Sequence, residues 1–355
     1  MNLFDGMLKD GESLFKNDVA LSFDYQPKLL QYREKEQFQI ASIIKPLFQK
    51  RSGKNMLVYG SPGIGKTVAI KHILNELEEQ TDEIIPLYIN CWQKNTTYKI
   101  VTEMCDLIGY KFTQNKKTEE LFKIVIDKLN SYGVVFVFDE FDKAEEINFL
   151  YSILEEVYRK SIILISNYKD DVLQLDERIY SRLIPMMLEF MSYNKQEIRG
   201  ILDKRKEWAF IPDCWNDDAF DMIVEKTYEG NDIRVGLHLL KQSGEIAEEK
   251  SSRKITAEIV FPLVEIIKLK VNKDSSVLQE DEQKILFIIK KNTGQKIGDI
   301  FEEYKKDGGS SAYRTFQRRI DKLAQGGFIS IEKVSGGKEG KTTLIQFQKT
   351  LDEFQ

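Results

Sequence analysis

One eight-residue stretch, Gly60-Ser61-Pro62-Gly63-Ile64-Gly65-Lys66-Thr67, constrains this chain more than any other. It follows an apolar run, Met56-Leu57-Val58-Tyr59, and precedes residues 68–79, whose apolar positions recur at helical spacing. Strand, glycine-rich turn, Lys-Thr and helix together make the context that a phosphate-binding loop requires. Glycines let successive backbone N–H groups close around phosphate oxygens, and the helix N-terminus adds positive potential. The pattern predicts that Gly60, Gly63, Ile64 and Gly65 cradle ATP or ADP, that Lys66 reaches the β- and γ-phosphates, and that Thr67 ligates Mg2+.

The surrounding sequence reads as an α/β domain with a parallel sheet covered on both faces. Ile84 to Ile89 reads as a strand, and helices follow over 97–108 and 118–130. Val134-Val135-Phe136-Val137-Phe138 is apolar without alternation, as in a strand buried on both faces. It ends in Asp139-Glu140, at the edge where ligands bind in open α/β sheets. Asp139 is expected to hold the Mg2+ shell and Glu140 to polarise an attacking water. A helix over 144–160 then leads to a third buried strand, Ile162 to Ile165, ending in Ser166-Asn167. The Asn167 amide reads either as a γ-phosphate or water contact or as a cap of the turn. Tyr25 to Glu34, with Pro27 and Arg33, precedes a helix over 35–49. It reads either as the wall of a purine pocket or as a plain helix lead-in.

Beyond Phe190 the pattern turns all-helical, with segments 195–208, 217–228, 232–249 and 256–269. Tyr193 stands at the entrance, Arg205 on the first helix, and Arg234 in the first turn of the third. An arginine near a helix N-terminus gains nothing from the dipole, which hints at an external anion. A polar linker, Val271 to Val277, precedes helices at 281–291, 297–304 and 312–325 and a hairpin with a glycine-rich tip at 335–341. That order is a winged helix. Arg314, Gln317 and Arg318 share the outer face of its third helix, and Lys338 and Lys341 lie at the hairpin tip. From Ser310 to Phe347 there are seven basic and three acidic residues, a local balance of +4 in a chain of net charge −5. The whole chain does not advertise nucleic-acid binding, so the third helix is the expected major-groove reader and the tip a minor-groove or phosphate contact.

Three cysteines and two histidines offer no metal-like spacing and fit a reduced interior. No run approaches the length of a membrane span, so the chain is expected to be cytoplasmic, with no membrane partner.

This order of parts resembles the AAA+ ATPases of the initiator clade, and more narrowly the archaeal origin-recognition and cell-division-control replication initiators. Asp24-Tyr25-Gln26-Pro27 with Tyr32-Arg33-Glu34, Tyr88-Ile89-Asn90-Cys91, Asp139-Glu140-Phe141-Asp142, Ile165-Ser166-Asn167, Leu175-Asp176-Glu177-Arg178 and Asp232-Ile233-Arg234 carry the likeness. The resemblance implies an AAA+ domain over 1–190, a helical lid over 191–272 and a winged helix over 278–355. It makes Asn167 the first sensor and Arg234 the second, with Tyr193 and Arg205 as lid-side nucleotide contacts. It makes Arg182 the finger offered to a neighbour's nucleotide, with Arg178 as the other candidate and surface ion pairing as the alternative for both. It places a DNA-contacting insertion near residues 94–117, although Trp92 stands where many relatives carry an arginine. It implies a weak, switch-like ATPase that binds double-stranded origin DNA, is associated with the nucleoid, acts beside identical or paralogous subunits and helps load the replicative helicase. A P-loop transcription regulator and a mobile-element partner ATPase with a winged helix stay open beside it.

Overall fold

The computed structural model describes residues 13–23, 25–27, 30–169, 175–273, 280–291, 294–309, 311–325, 329–336 and 340–347. The chain divides into two compact units, Met1–Val264 and Glu265–Gln355.

The first unit is built on a five-stranded parallel sheet in the order β2-β3-β4-β1-β5, formed by β1 (Met56–Tyr59), β2 (Ile84–Asn90), β3 (Gly133–Asp139), β4 (Lys160–Ser166) and β5 (Met186–Glu189). Every residue of β3 is buried, as its unbroken apolar run requires. Helices α1 (Glu34–Ile44), α2 (Lys66–Gln80), α3 (Thr97–Leu107), α4 (Thr118–Leu129), α5 (Asn148–Glu156) and α6 (Glu177–Leu183) complete the α/β part. Phe136 and Phe138 stack along β3, and Phe149 of α5 packs on Phe138 with ring centroids 4.9 Å apart. The parallel register sets Tyr59 beside Ser166 and Asn90 beside Asp139. Three chemically loaded turns therefore leave the sheet at one edge.

Two expected helices are shorter than their patterns suggest. The helix from Glu34 tightens into a 3-10 turn at Lys45–Gln49, where Pro46 supplies no N–H. Residues 144–147 are not helical, because Glu145 and Glu146 are pinned to the start of α3. The Glu145 N–H donates to the Asn95 carbonyl at 2.8 Å, and the Thr97 N–H donates to the Glu146 carboxylate at 3.1 Å.

The helical part follows as α7 (Lys195–Ala209), α8 (Asp217–Gly230), α9 (Ile233–Glu249) and α10 (Ala257–Lys273). Asn194 and Glu197 close a reciprocal capping box on α7. Asn231, in the left-handed region, ends α8, and the adjacent Asp232 caps α9 through the Arg234 N–H. The expected linker at 271–277 is in part helix, since α10 continues to Lys273, and the boundary between the two units falls inside α10.

The second unit contains α11 (Glu280–Lys291), β6 (Gln295–Lys296), α12 (Ile297–Lys306), α13 (Tyr313–Gln325), β7 (Ile329–Gly336) and β8 (Gly340–Phe347). Its antiparallel sheet has the order β6-β8-β7, and the short β6 has no signal in the sequence pattern. Ile285, Ile289, Ile300, Phe316, Ile320 and Leu323 form its core. This is the element order of a winged helix.

Candidate nucleotide site

The turns at the C-terminal edge of the sheet and the start of the helical part enclose one cleft of about 590 Å3. Pro62, Gly63, Gly65, Lys66 and Thr67 form its floor. Asp139, Glu140 and Asn167 close one side, and Tyr193, Arg205 and Arg234 the other. Pro27 and Leu30 line it from the N-terminal segment.

The loop conformation explains its glycines. Gly63 and Gly65 have φ of 72° and 89°, values that L side chains rarely adopt. A Cβ on Gly63 would lie 1.9 Å from Asp232 Oδ1, and one on Gly65 would lie 3.0 Å from Tyr193 Oη. The Ile233 N–H also donates to the Gly63 carbonyl at 3.2 Å. The N-terminus of α9 is thus seated on the loop itself.

Lys66 Nζ donates to the carbonyls of Gly60 and Ser61 at 2.7 and 2.9 Å and to Asn167 Oδ1 at 3.0 Å. Burial lowers its pKa to about 8, with Asp139 opposing the shift and Arg234 adding to it. Asp139, 2% exposed, is held at both oxygens. Its Oδ1 accepts the Glu140 N–H at 2.8 Å, and its Oδ2 accepts the hydroxyls of Thr67 and Tyr88, each at 2.7 Å. Tyr88 belongs to a motif that carries the family likeness, but the sequence assigns it no role in the site. Its contact depends on the β2–β3 register, which no local pattern carries. Burial and the neighbouring Asp139 push the Tyr88 phenol well above its ordinary value, so it stays a donor.

Glu140 sits at φ 51°, a left-handed conformation that turns it out of the strand. Burial raises its carboxyl above the usual range, and the charges of Asp139 and Asp142 raise it further. That direction suits a proton-accepting or water-polarising group. Among the described residues no cluster of three His, Cys, Asp or Glu could hold a metal by itself. Thr67 Oγ1 and Asp139 Oδ2 are hard oxygens lining the cleft, the donor set that Mg2+ shares with nucleotide phosphates and water.

Arg33 departs from the expected purine wall. It is 4% exposed and absent from the cleft lining. Its guanidinium lies 3.9 Å from the Tyr193 ring centroid and donates to Tyr193 Oη, Ile64 O and Met191 O. It braces the loop and the entrance of the helical part from behind. Arg205 lines the cleft, but its guanidinium donates to the carbonyls of Ala20 and Tyr25 and lies over the Tyr25 ring. Arg234 forks onto Asp232, with Nε 3.0 and Nη2 2.8 Å from its oxygens. Arg178 and Arg182 lie on α6 outside the cleft. Arg178 pairs with Asp176, and Arg182 pairs with Glu155 over the Tyr151 ring.

In the second unit, Arg314 and Arg318 are exposed on α13 and Gln317 is half-buried. Two basic residues counted toward the local excess are neutralised from α11: Arg319 pairs with Asp281, and Lys322 with Glu282 at 2.7 Å. Lys338 lies outside the described residues, and only the backbone of Lys341, in β8, is described.

A family model described as an AAA domain matches residues 49–169, and one described as a Cdc6 AAA+ ATPase-type lid domain matches residues 199–261. The chain is 30% identical over 357 residues to an ORC1-type DNA replication protein 1 of Sulfurisphaera tokodaii, covering 94% of this chain and 89% of that protein. The Aeropyrum pernix ORC1 protein solved in complex with DNA superposes with a TM-score of 0.66 at 25% identity, covering 95% of this chain and 94% of that one. The ORC2 protein of the same organism, solved as ADPNP-ADP complexes, has a TM-score of 0.73 at 18% identity, a likeness of fold over 94% of each chain.

Proposed function

Because the chain belongs to the archaeal Orc1/Cdc6 family of ORC1-type DNA replication proteins, which are AAA+ ATPases, we propose that it is a replication initiator in which nucleotide acts as a switch on DNA binding. The observation that carries this reading is the seating of Asp232 and Ile233 on Gly63. A group in the loop that holds phosphates is thereby in direct contact with the helix that bears Arg234. Loss of a γ-phosphate removes a partner common to Lys66, Asn167 and Arg234, so ATP and ADP favour different seatings of α9.

Thr67 and Asp139 would hold Mg2+, which supplies charge neutralisation on the phosphate oxygens. Glu140 polarises the attacking water, and Asn167 orients it. Hydrolysis in a single subunit is slow, because Arg182 and Arg178 lie outside their own cleft and serve a neighbouring copy or paralogue. Arg314, Gln317 and Arg318 read duplex origin DNA, and the bound initiator helps to load the replicative helicase. No helix among the described residues is long and apolar enough to cross a membrane. Titration with mant-ATP and mant-ADP tests the switch: Arg234→Ala should erase most of the difference between the two affinities while leaving ADP binding intact. Equal losses for both nucleotides would refute it. A genome-wide footprint concentrated at one or a few origins supports the initiator role, and signal at many promoters overturns it.

A further inference from the structure

Opposite the nucleotide cleft, the N-terminal ends of β1 and β4 carry a second concentration of charge. The loop before β1 holds Lys50, Arg51 and Lys54, with Lys45 at the start of the preceding 3-10 turn, and Arg159 and Lys160 enter β4. Two segments about 110 residues apart in sequence are joined there by hydrogen bonds. The Gly53 N–H donates to the Lys160 carbonyl at 2.9 Å, Ser52 Oγ donates to the Tyr158 carbonyl at 3.1 Å, and Ser161 Oγ donates to the Lys54 carbonyl at 2.6 Å. The Lys54 N–H is tied to the Ile43 carbonyl at 3.1 Å, so the loop is fixed on both sides.

Six exposed cations elsewhere on this unit, Lys94, Arg178, Arg182, Lys195, Arg199 and Lys204, face a carboxylate, while others such as Lys111, Lys117, Lys250 and Lys254 form no ion pair with a described residue. At this rim none of the six cations forms an ion pair with a described residue; Arg51 donates to Gln49 Oε1, Arg159 to the Ser131 carbonyl at 2.9 Å and Lys160 to the Val157 carbonyl at 2.7 Å, neutral acceptors that leave the charges uncompensated. Glu155, whose charge reaches Lys160, is itself paired with Arg182. Asp82 and Glu83 lie before β2, two strands away from β4. Two aromatic rings stand in the same region, Phe48 at 49% and Tyr158 at 74% exposure.

We propose that this rim, formed by Lys45, Lys50, Arg51, Lys54, Arg159 and Lys160 with Phe48 and Tyr158, binds single-stranded nucleic acid. Unmatched cations on a preorganised backbone suit a phosphodiester chain, and exposed aromatic faces accept unstacked bases of any sequence. A duplex keeps its bases stacked inside and would leave both rings without a partner. The rim and the nucleotide cleft occupy opposite ends of the same parallel strands, so both can be filled at once. The contact is separate from the one expected at α13, and its test is independent of the initiator reading.

The test uses the full chain and a fluorescein-labelled oligothymidylate, followed by anisotropy across a salt series. Combined Lys50→Gln, Arg51→Gln and Lys54→Gln substitution should weaken binding about tenfold and reduce the salt slope by about 2, at roughly 0.7 per lost phosphate contact. Ultraviolet crosslinking should place an adduct on Tyr158. Unchanged mant-ADP affinity establishes that the variant is folded; if it is not, Lys50→Gln should lower the slope by about 0.7, and Tyr158→Ala should weaken binding without changing the slope, each measured singly. An unchanged slope overturns the proposal, as does a loss confined to duplex DNA or an adduct found only on residues 313–325.

Discussion

Tyr88 and Thr67 donate to the same oxygen of Asp139, each at 2.7 Å, although they stand on different elements. The tyrosine is a second hand on the carboxylate that the P-loop threonine already holds. Its hydroxyl fixes the side-chain angle of Asp139 and disperses its charge. Tyr88→Phe removes that donor and little volume. A hydrogen bond to a charged group contributes about 1.5–3 kcal/mol, so the Mg2+ concentration needed for half-maximal mant-ATP binding should rise at least tenfold. Binding measured in EDTA should stay unchanged; an equal loss with and without Mg2+ would show a merely structural role.

The Lys66 ammonium sets a pH dependence. With its pKa lowered to about 8, the folded chain binds fewer protons than the unfolded chain between about pH 8 and the ordinary lysine value near 10.5. Stability due to this group therefore rises with pH across that window. ATP affinity should move the opposite way, falling above pH 8 as the loop loses its positive charge. Lys66→Met should abolish both slopes and most of the nucleotide affinity.

Gly63→Ala probes the seating of α9 on the loop. The substitution places a Cβ at φ 72° and 1.9 Å from Asp232 Oδ1. The backbone term alone costs about 1–2 kcal/mol. Thermal unfolding should report that loss, and hydrogen exchange should speed up at residues 233–236. Protection there equal to the parent chain would mean that the contact carries no coupling.

On the second unit, Arg314→Ala with Arg318→Ala should weaken duplex binding and reduce its salt slope by about 2, at roughly 0.9 per phosphate. Arg319→Ala should behave differently. It breaks the pair with Asp281 and the hydrogen bond to Ser311, so it should lower the stability of this unit before it changes the slope.

The chemistry that sequence reasoning reaches is the chemistry whose residues are close in sequence. Gly60 to Thr67, Asp139-Glu140 and the apolar face of α13 each fit within a few turns or one strand, and local spacing identifies them. Contacts made by register are invisible at that level. Tyr88 meets Asp139 across two strands, and Ser161 meets Lys54 across more than a hundred residues. The motif around Arg33 points to the nucleotide, but its buried guanidinium braces two carbonyls, the Tyr193 hydroxyl and Glu36 instead. The charge excess of residues 310–347 overstates the free positive charge for a related reason, since Asp281 and Glu282, which neutralise Arg319 and Lys322, lie on α11 about 40 residues earlier.

Asp232 caps α9, forks Arg234 and presses on Gly63 with one carboxylate. Helix formation and the proposed nucleotide switch therefore draw on the same two oxygen atoms. A substitution there cannot adjust one property while sparing the other, so drift at this position would be felt twice. The first casualty would be the abundance of folded protein and the second the timing of replication.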